Sequence, residues 1–510
     1  MNLKNLAIAF SFSHLMLCFF FILPNGNGYM FPTAECSEQI VSFLLFLTIL
    51  TAIFYKLLFS TSNALYAVYI LFTYILFRGV KAMFRFQFGA NLKSITFLIS
   101  ISILSILFSC FYLKDRRKIS QITKNIILFF APFGLLTIFK LSTDLIELKK
   151  NVPLKEYQAT RENNKIFWII FDELDQYLIF ENPNRPLFSE LEKLKNESIY
   201  ASKAIQPGSC TNISLPAFTT GLTINDVVLS GASHLKLLLK NGSTTDWRKT
   251  PNIFQKASAL GYNSSLIGWY HPYDRIFSSD VAYIALEDSF FEKKKLNKFR
   301  SISITFINQI FSFFHYNFDK LFQIFLKKSF IPKELIKIKS DIRNEQWYGS
   351  LLKKMEEVID NDKLNFNFFH LPIPHYPTCY NSKTNKIVNV NPNYYENVYL
   401  VDKTLSWLRE KLSKKNLWEG SIIIVTSDHW LRTEKGFVDQ YVKEESEEFK
   451  ESMGKRKAPY VPMLIKMPGQ DSKKEINKEI NSLVLHDLVL DIMQKKIKTS
   501  DDVLKKINDF

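Results

Sequence analysis

Cysteine is scarce in this chain: five residues in 510 (Cys18, Cys36, Cys110, Cys210, Cys379), none paired as C-x-x-C. That spacing excludes a disulfide framework. A single bridge between Cys210 and Cys379 stays open, because both lie beside candidate site residues. There is also no internal repeat, no long low-complexity linker and no nucleic-acid motif. The net charge of +16 therefore suits an anionic membrane surface better than nucleic acid.

Hydrophobic residues make up 47% of the chain but are unevenly spread. Before residue 142 long apolar runs dominate. A transmembrane helix needs about 20 apolar residues, and five segments are candidates: 6–23, 40–58, 64–77, 94–113 and 126–141. The first resembles a signal peptide, but it runs into Pro24-Asn-Gly-Asn-Gly28 rather than a small-residue cleavage site, so it reads as a retained helix. The loop over 24–38 has no Lys or Arg and belongs outside, whereas Lys114-Asp-Arg-Arg-Lys118 marks an inside loop. The result is an inside N-terminus, five spans over 1–142, a linker helix over 143–164 and a large outer domain over 165–510. One stretch disagrees, since Arg78, Lys81, Arg85 and Lys93 fall outside. Phe84, Phe86 and Phe88 alternate with polar residues there, as an interfacial element would.

After residue 165 short apolar strands alternate with helix-compatible polar stretches, the pattern of an α/β domain. Ile166-Phe-Trp-Ile-Ile-Phe171 and Ile422-Ile-Ile-Val425 are continuous apolar runs, as for central strands covered on both faces. The first ends at Asp172-Glu173, the second at Ser427-Asp428-His429. Side chains at the carboxyl ends of such strands face the usual binding crevice. Carboxylate oxygens beside an imidazole nitrogen suit Zn²⁺ or Mn²⁺. Glu173 reads equally as a second carboxylate for the site or as a helix-start residue.

Between them lies Gly208-Ser-Cys-Thr-Asn-Ile-Ser-Leu-Pro216, a hydroxyl-rich loop feeding a helix N-terminus, which offers N–H groups to a phosphate or an oxyanion. Its Thr211 is either a nucleophile or a helix cap. His271, in Gly268-Trp-Tyr-His-Pro-Tyr273, either lines the pocket or belongs to a structural turn. His370 reads as a packed strand-end histidine, and His375, between Pro374 and Pro377, as the exposed one. Residues 293–328 are basic at both ends and spaced as an amphipathic helix, either core-facing or interfacial. Residues 444–457 read as a solvated charged insertion, and the stretch from Leu483 as a helix packed on the sheet.

The ordered set Phe171-Asp172-Glu173, Thr211-Asn-Ile-Ser-Leu-Pro216, Phe369-His-Leu-Pro-Ile-Pro-His375, Ser427-Asp-His429 and Val461-Pro-Met-Leu-Ile-Lys-Met-Pro468 resembles the alkaline phosphatase and sulfatase superfamily. Within it, the resemblance is to the membrane-anchored phosphoethanolamine and phosphoglycerol transferases. It implies five transmembrane helices followed by an alkaline-phosphatase-like α/β/α sandwich. Asp172, Thr211, Asp428 and His429 would hold a divalent metal, Zn or Mn. Thr211 would be the nucleophile, with His375, Glu173 and His271 on the substrate side. The implied partners are the membrane, a phospholipid donor and an envelope glycan or lipid acceptor. The implied place is a bacterial inner membrane with the catalytic domain on its outer side.

Two departures accompany the resemblance. Trp430 follows His429 where many relatives have Gly, and no histidine lies between Trp430 and Pro468, so a second-metal ligand of some transferases is missing. The formylglycine pattern of sulfatases is also absent, since Cys210 has Asn212 rather than Pro two residues on. Hydrolysis by the same site and a catalytically silent envelope scaffold are the alternative readings.

Overall fold

The computed structural model describes residues 3–17, 44–45, 47–53, 125, 127–148, 153–158, 164–231, 234–287, 347–376, 378–388, 393–432 and 445–509. The chain divides into two compact units, one made chiefly of residues 1–151 and the other containing nearly all described residues from 152 onward.

In the first unit, helices α1 (Leu3–Leu17) and α2 (Ala131–Leu148) pack together. Ser11 Oγ donates to the Ile127 carbonyl at 2.5 Å, and His14 Nε2 lies 2.8 Å from Thr137 Oγ1. Among the described residues no helix is long and apolar enough to cross a membrane. The predicted spans over 64–77 and 94–113 lie outside the described residues, as does most of the span over 40–58. The insertion over 293–328 also lies outside them.

Of the predicted linker helix over 143–164, residues 149–152 and 159–163 lie outside the described residues. Helix α2 runs to Leu148, and residues 153–158 have no regular secondary structure, with Lys155 N–H donating to Val281 O at 2.9 Å. Pro153 supplies the reason: it lacks an N–H, and it disfavours helical backbone at the residue before it.

The second unit is built on a nine-stranded mixed sheet. Its strands are β1 (Ile166–Asp172), β2 (Ile199–Ile205), β3 (Ser264–Gly268), β4 (Tyr283–Leu286), β5 (Phe366–Pro374), β6 (Ile422–Ser427), β7 (Val461–Lys466), β8 (Lys474–Ile476) and β9 (Ile480–Asn481). They run in the order β8-β2-β7-β6-β1-β5-β3-β4, with β9 beside β2. Strands β6, β1, β5, β3 and β4 are mutually parallel, while β7 is antiparallel to both β6 and β2. Every residue of β1, β5 and β6 is buried, as the unbroken apolar runs require.

Alternation along β1 divides the core into two layers, because successive side chains point to opposite faces. Phe167, Ile169 and Phe171 join one cluster with residues of α3 (Ser189–Asn196), α7 (Trp347–Asp360) and α8 (Tyr394–Lys414). Trp168 faces the other way, edge-on to Phe218 of α4 (Thr211–Thr220) at 5.4 Å. On that side α5 (Ile253–Ala259) packs on β3, and α10 (Val484–Met493) packs on α4 and α5. The tail helix thus lies against two helices of that layer.

Helix α3 has no side-chain cap of its own, and Asp402 of α8 fills the role from outside by accepting from Leu191 N at 2.8 Å. Burial pushes the Asp402 carboxyl up to about 6. A raised carboxyl contributes stability fully present below its unfolded value and lost as pH rises through the folded value. Asp402→Asn keeps an acceptor and does not titrate. Its melting temperature is therefore expected to gain on the parent's between about pH 4 and pH 7. A gap independent of pH in thermal melts would contradict this.

Candidate active site

The site forms at the carboxyl ends of β1, β5 and β6. The pairing Phe171↔Ser427 places Asp172 and Asp428 side by side at the end of adjacent parallel strands. On the other side Ile170 pairs with His370 of β5, and a register shift between Phe171 and Asp172 then brings Asp172 opposite Pro374. Asp172, His370 and Asp428 each offer a ligand atom, and those atoms all lie within 4.8 Å of one another.

His429 Nε2 completes the cluster, 3.5 Å from Asp172 Oδ1, 3.4 Å from Asp428 Oδ2 and 3.3 Å from Thr211 Oγ1. Its other nitrogen donates to Trp430 O at 3.0 Å, since a carbonyl can only accept, and this leaves the Nε2 lone pair aimed inward. Thr211 is the first residue of α4, after Cys210 at the N-cap. It is 4% exposed, and its N-terminal placement brings the helix's positive end to the cluster.

Both oxygens of Asp172, Asp428 Oδ2 and His370 Nε2 are buried without a hydrogen-bond partner. Orphaned buried polar atoms are costly, and here they converge on one point. Burial, and then Asp428, hold the Asp172 carboxyl well above the usual carboxylate range; burial also raises Asp428. Burial lowers His370 to about 4 and His429, with help from Arg432, to about 3, so both imidazoles are neutral at neutral pH. Two acidic oxygens and neutral imidazole nitrogens fit a divalent cation.

His370 is packed at the strand end, as the sequence reading has it, and it also offers a ligand atom to the Asp172–Asp428 group. Tyr273 Oη lies 2.8 Å from His370 Nδ1. With Nε2 on a cation, Nδ1–H would donate to that oxygen, so Tyr273 would support the ligating tautomer. The close approach depends on Gly268, where a Cβ would meet the Tyr273 ring at 2.3 Å. Tyr273→Phe is expected to weaken metal affinity about 10- to 100-fold, the range for loss of such a supporting contact. Competition against a chelator reads it, and unchanged affinity would mean that Tyr273 does not support the ligand.

Glu173 is not a helix-start residue. It sits in a turn at φ 65°, three residues before Gln176, which leads into a short π-helix at Tyr177–Glu181. This unusual backbone turns its N–H to Asp428 Oδ1 (3.2 Å) and its carbonyl to the Tyr394 hydroxyl (2.7 Å). Its carboxylate then faces Arg432 Nη2 at 3.2 Å and His375 Nε2 at 3.9 Å. Burial lowers the His375 pKa, but Glu173 and Asp172 outweigh it and the net shift is upward. Sequence reading missed Arg432; nothing local distinguishes it from other basic residues.

His271 lies against the first turn of α4. It is 3% exposed, packs edge-on to Trp247 at 4.9 Å, and its Nε2 lies 3.4 Å from Thr211 O. Cys210 and Cys379 are free thiols, so the bridge left open does not form. Burial pushes the Cys210 thiol up, away from the reactive thiolate.

The charged stretch over 444–457 is more than a solvated insertion. Glu445 accepts from Tyr376 Oη and from Tyr394 N, each at 2.5 Å, and Arg456 pairs with buried Asp175 at 2.5 Å. Phe449 and Met453 of helix α9 (Glu447–Gly454) are buried beside the same core. The segment thereby braces Tyr376, the neighbour of His375.

Residues 164–495 match the sulfatase family model, and the chain belongs to that family. No curated protein matches it. Among solved structures, the lipoteichoic acid synthase LtaP from Listeria monocytogenes is similar at 15% identity, covering 69% of this chain and 78% of that one, with a TM-score of 0.41. The phosphonate monoester hydrolase of Agrobacterium radiobacter is similar at 12% identity over 65% and 74%, with a TM-score of 0.40. An alkaline phosphatase superfamily protein from Vibrio parahaemolyticus is similar at 13% identity over 66% and 68%, with a TM-score of 0.39.

Proposed function

We propose that the chain is a metal-dependent transferase. It moves a phospholipid-derived phospho-headgroup, phosphoethanolamine or phosphoglycerol, to an envelope glycan or lipid through Thr211. The observation carrying the reading is the Thr211 hydroxyl at the head of α4, 3.3 Å from His429 Nε2 and beside the orphaned atoms of Asp172, His370 and Asp428. Asp172, Asp428, His370 and His429 would hold the cation. Bound there, a divalent metal supplies a lowered hydroxyl pKa and charge stabilisation at the phosphoryl group.

The chain's own residues account for the rest. Thr211 Oγ1 attacks phosphorus; its bond forms as the bond to the diacylglycerol oxygen breaks, and the hydroxyl proton ends on that oxygen. The acceptor hydroxyl then attacks the same phosphorus and releases Thr211 with its proton restored. The Thr211 carbonyl beside His271 Nε2 holds the first turn of α4 while this occurs. The five apolar segments and the Lys114–Lys118 cluster support membrane anchorage with the catalytic domain on the outer side of a bacterial inner membrane.

Headgroup-labelled phospholipid offered to the metal-loaded full chain together with an envelope lipid fraction tests the reading. Label on a second lipid or glycan is the expected result. Free labelled headgroup alone would make the chain a hydrolase, and unconsumed donor would favour a silent scaffold.

A further inference from the structure

The metal-ligating side chains form a sealed floor: His370, Asp428 and His429 are wholly buried and Asp172 is 1% exposed. Two basic side chains stand above it with access to solvent, Arg432 at 20% and His375 at 23%. Both are drawn to one carboxylate, that of Glu173. Arg432 lies in the segment that leaves β6, four residues past Asp428. In this chain no histidine follows Trp430 before Pro468.

We propose that Arg432 is the phosphoryl-oxygen clamp of this site and that Glu173 holds it in register and tempers its charge. The inference rests on the phosphoryl-transfer reading and adds to it a contact residue on the solvent side. Arginine keeps its charge at every accessible pH, and its planar fork can span a carboxylate and a phosphate oxygen together. The left-handed backbone of Glu173 supports the assignment. A non-glycine residue at φ 65° is uncommon and is retained only where its surroundings hold it. Here three contacts hold it: its N–H on Asp428, its carbonyl on Tyr394 and its carboxylate between Arg432 and His375. One turn thus ties the floor of the site to its cationic rim.

A purely structural ion pair makes a different forecast. If Arg432 and Glu173 served only to brace each other, removing either would damage the site in the same direction. A clamp tempered by a carboxylate requires opposite directions. The test is calorimetric titration of inorganic phosphate into metal-loaded full-length protein, with metal content measured in every variant. Arg432→Ala is expected to weaken phosphate binding about 10- to 100-fold, the span of a lost charged hydrogen bond. Arg432→Lys should fall between it and the parent, since a point charge replaces the fork. Glu173→Gln removes the competing charge and is expected to tighten phosphate binding.

Should Arg432→Ala fail to fold, the opposite movements of Arg432→Lys and Glu173→Gln still decide. Arg432 variants that retain metal and bind phosphate like the parent would overturn the clamp, as would weakening by Glu173→Gln. A metal-loaded parent that binds no phosphate would instead overturn the phosphoryl-transfer reading, and the clamp with it.

Discussion

Asp428→Ala is expected to lose its bound metal and its activity together. Asp428 is fully buried, and its Oδ1 accepts from Glu173 N at 3.2 Å and from His429 N at 2.8 Å, while Oδ2 lies 3.4 Å from His429 Nε2. Truncation therefore removes a ligand oxygen and strands two backbone donors, each costing about 1–3 kcal/mol when left unsatisfied. The alanine variant should also melt lower than the parent. Asp428→Asn separates the two effects, because it retains an acceptor for the backbone N–H groups and removes only the charge. It should fold like the metal-free parent and still bind little metal. Elemental analysis beside thermal melts reads both. Full metal occupancy in Asp428→Asn would place the cation elsewhere.

The second large effect is expected at Thr211. Its position as first residue of α4 makes it a poor candidate for a structural role: the N-cap is Cys210, and alanine favours helix. Thr211→Ala removes a buried hydroxyl 3.3 Å from His429 Nε2, so it should cost about 0.5–1.5 kcal/mol, the net worth of one hydrogen bond. Its headgroup transfer should fall about 10⁴-fold or more, the scale of losing a covalent nucleophile. Thr211→Ser keeps the hydroxyl and should retain measurable turnover. Parent-rate transfer by Thr211→Ala would end the covalent reading.

These residues were not equally legible in sequence. The two apolar runs at Ile166 and Ile422 announced central strands, and their register delivers Asp172 and Asp428 to one edge as the strand-end motifs implied. Thr211 was marked by its hydroxyl-rich loop. His370 was not, because a histidine in the run Phe366-Asn-Phe-Phe-His370 looks like packing. Its role depends on pairing with Ile170 and on the register shift beyond it, which are properties of two distant strands. Arg432 meets Glu173 across 259 residues of sequence, and Glu445 meets Tyr376 across 69. No local periodicity encodes either contact.

Covalent chemistry at Thr211 is the step on which the proposed transfer depends, and peptide mass spectrometry can observe it. Metal-loaded protein is quenched early in turnover with phospholipid donor in the absence of acceptor. The peptide containing Thr211 should carry the mass of the phospho-headgroup on that residue, and adding acceptor should discharge it. An unmodified Thr211 peptide in protein that is releasing diacylglycerol under the same conditions would contradict the covalent mechanism.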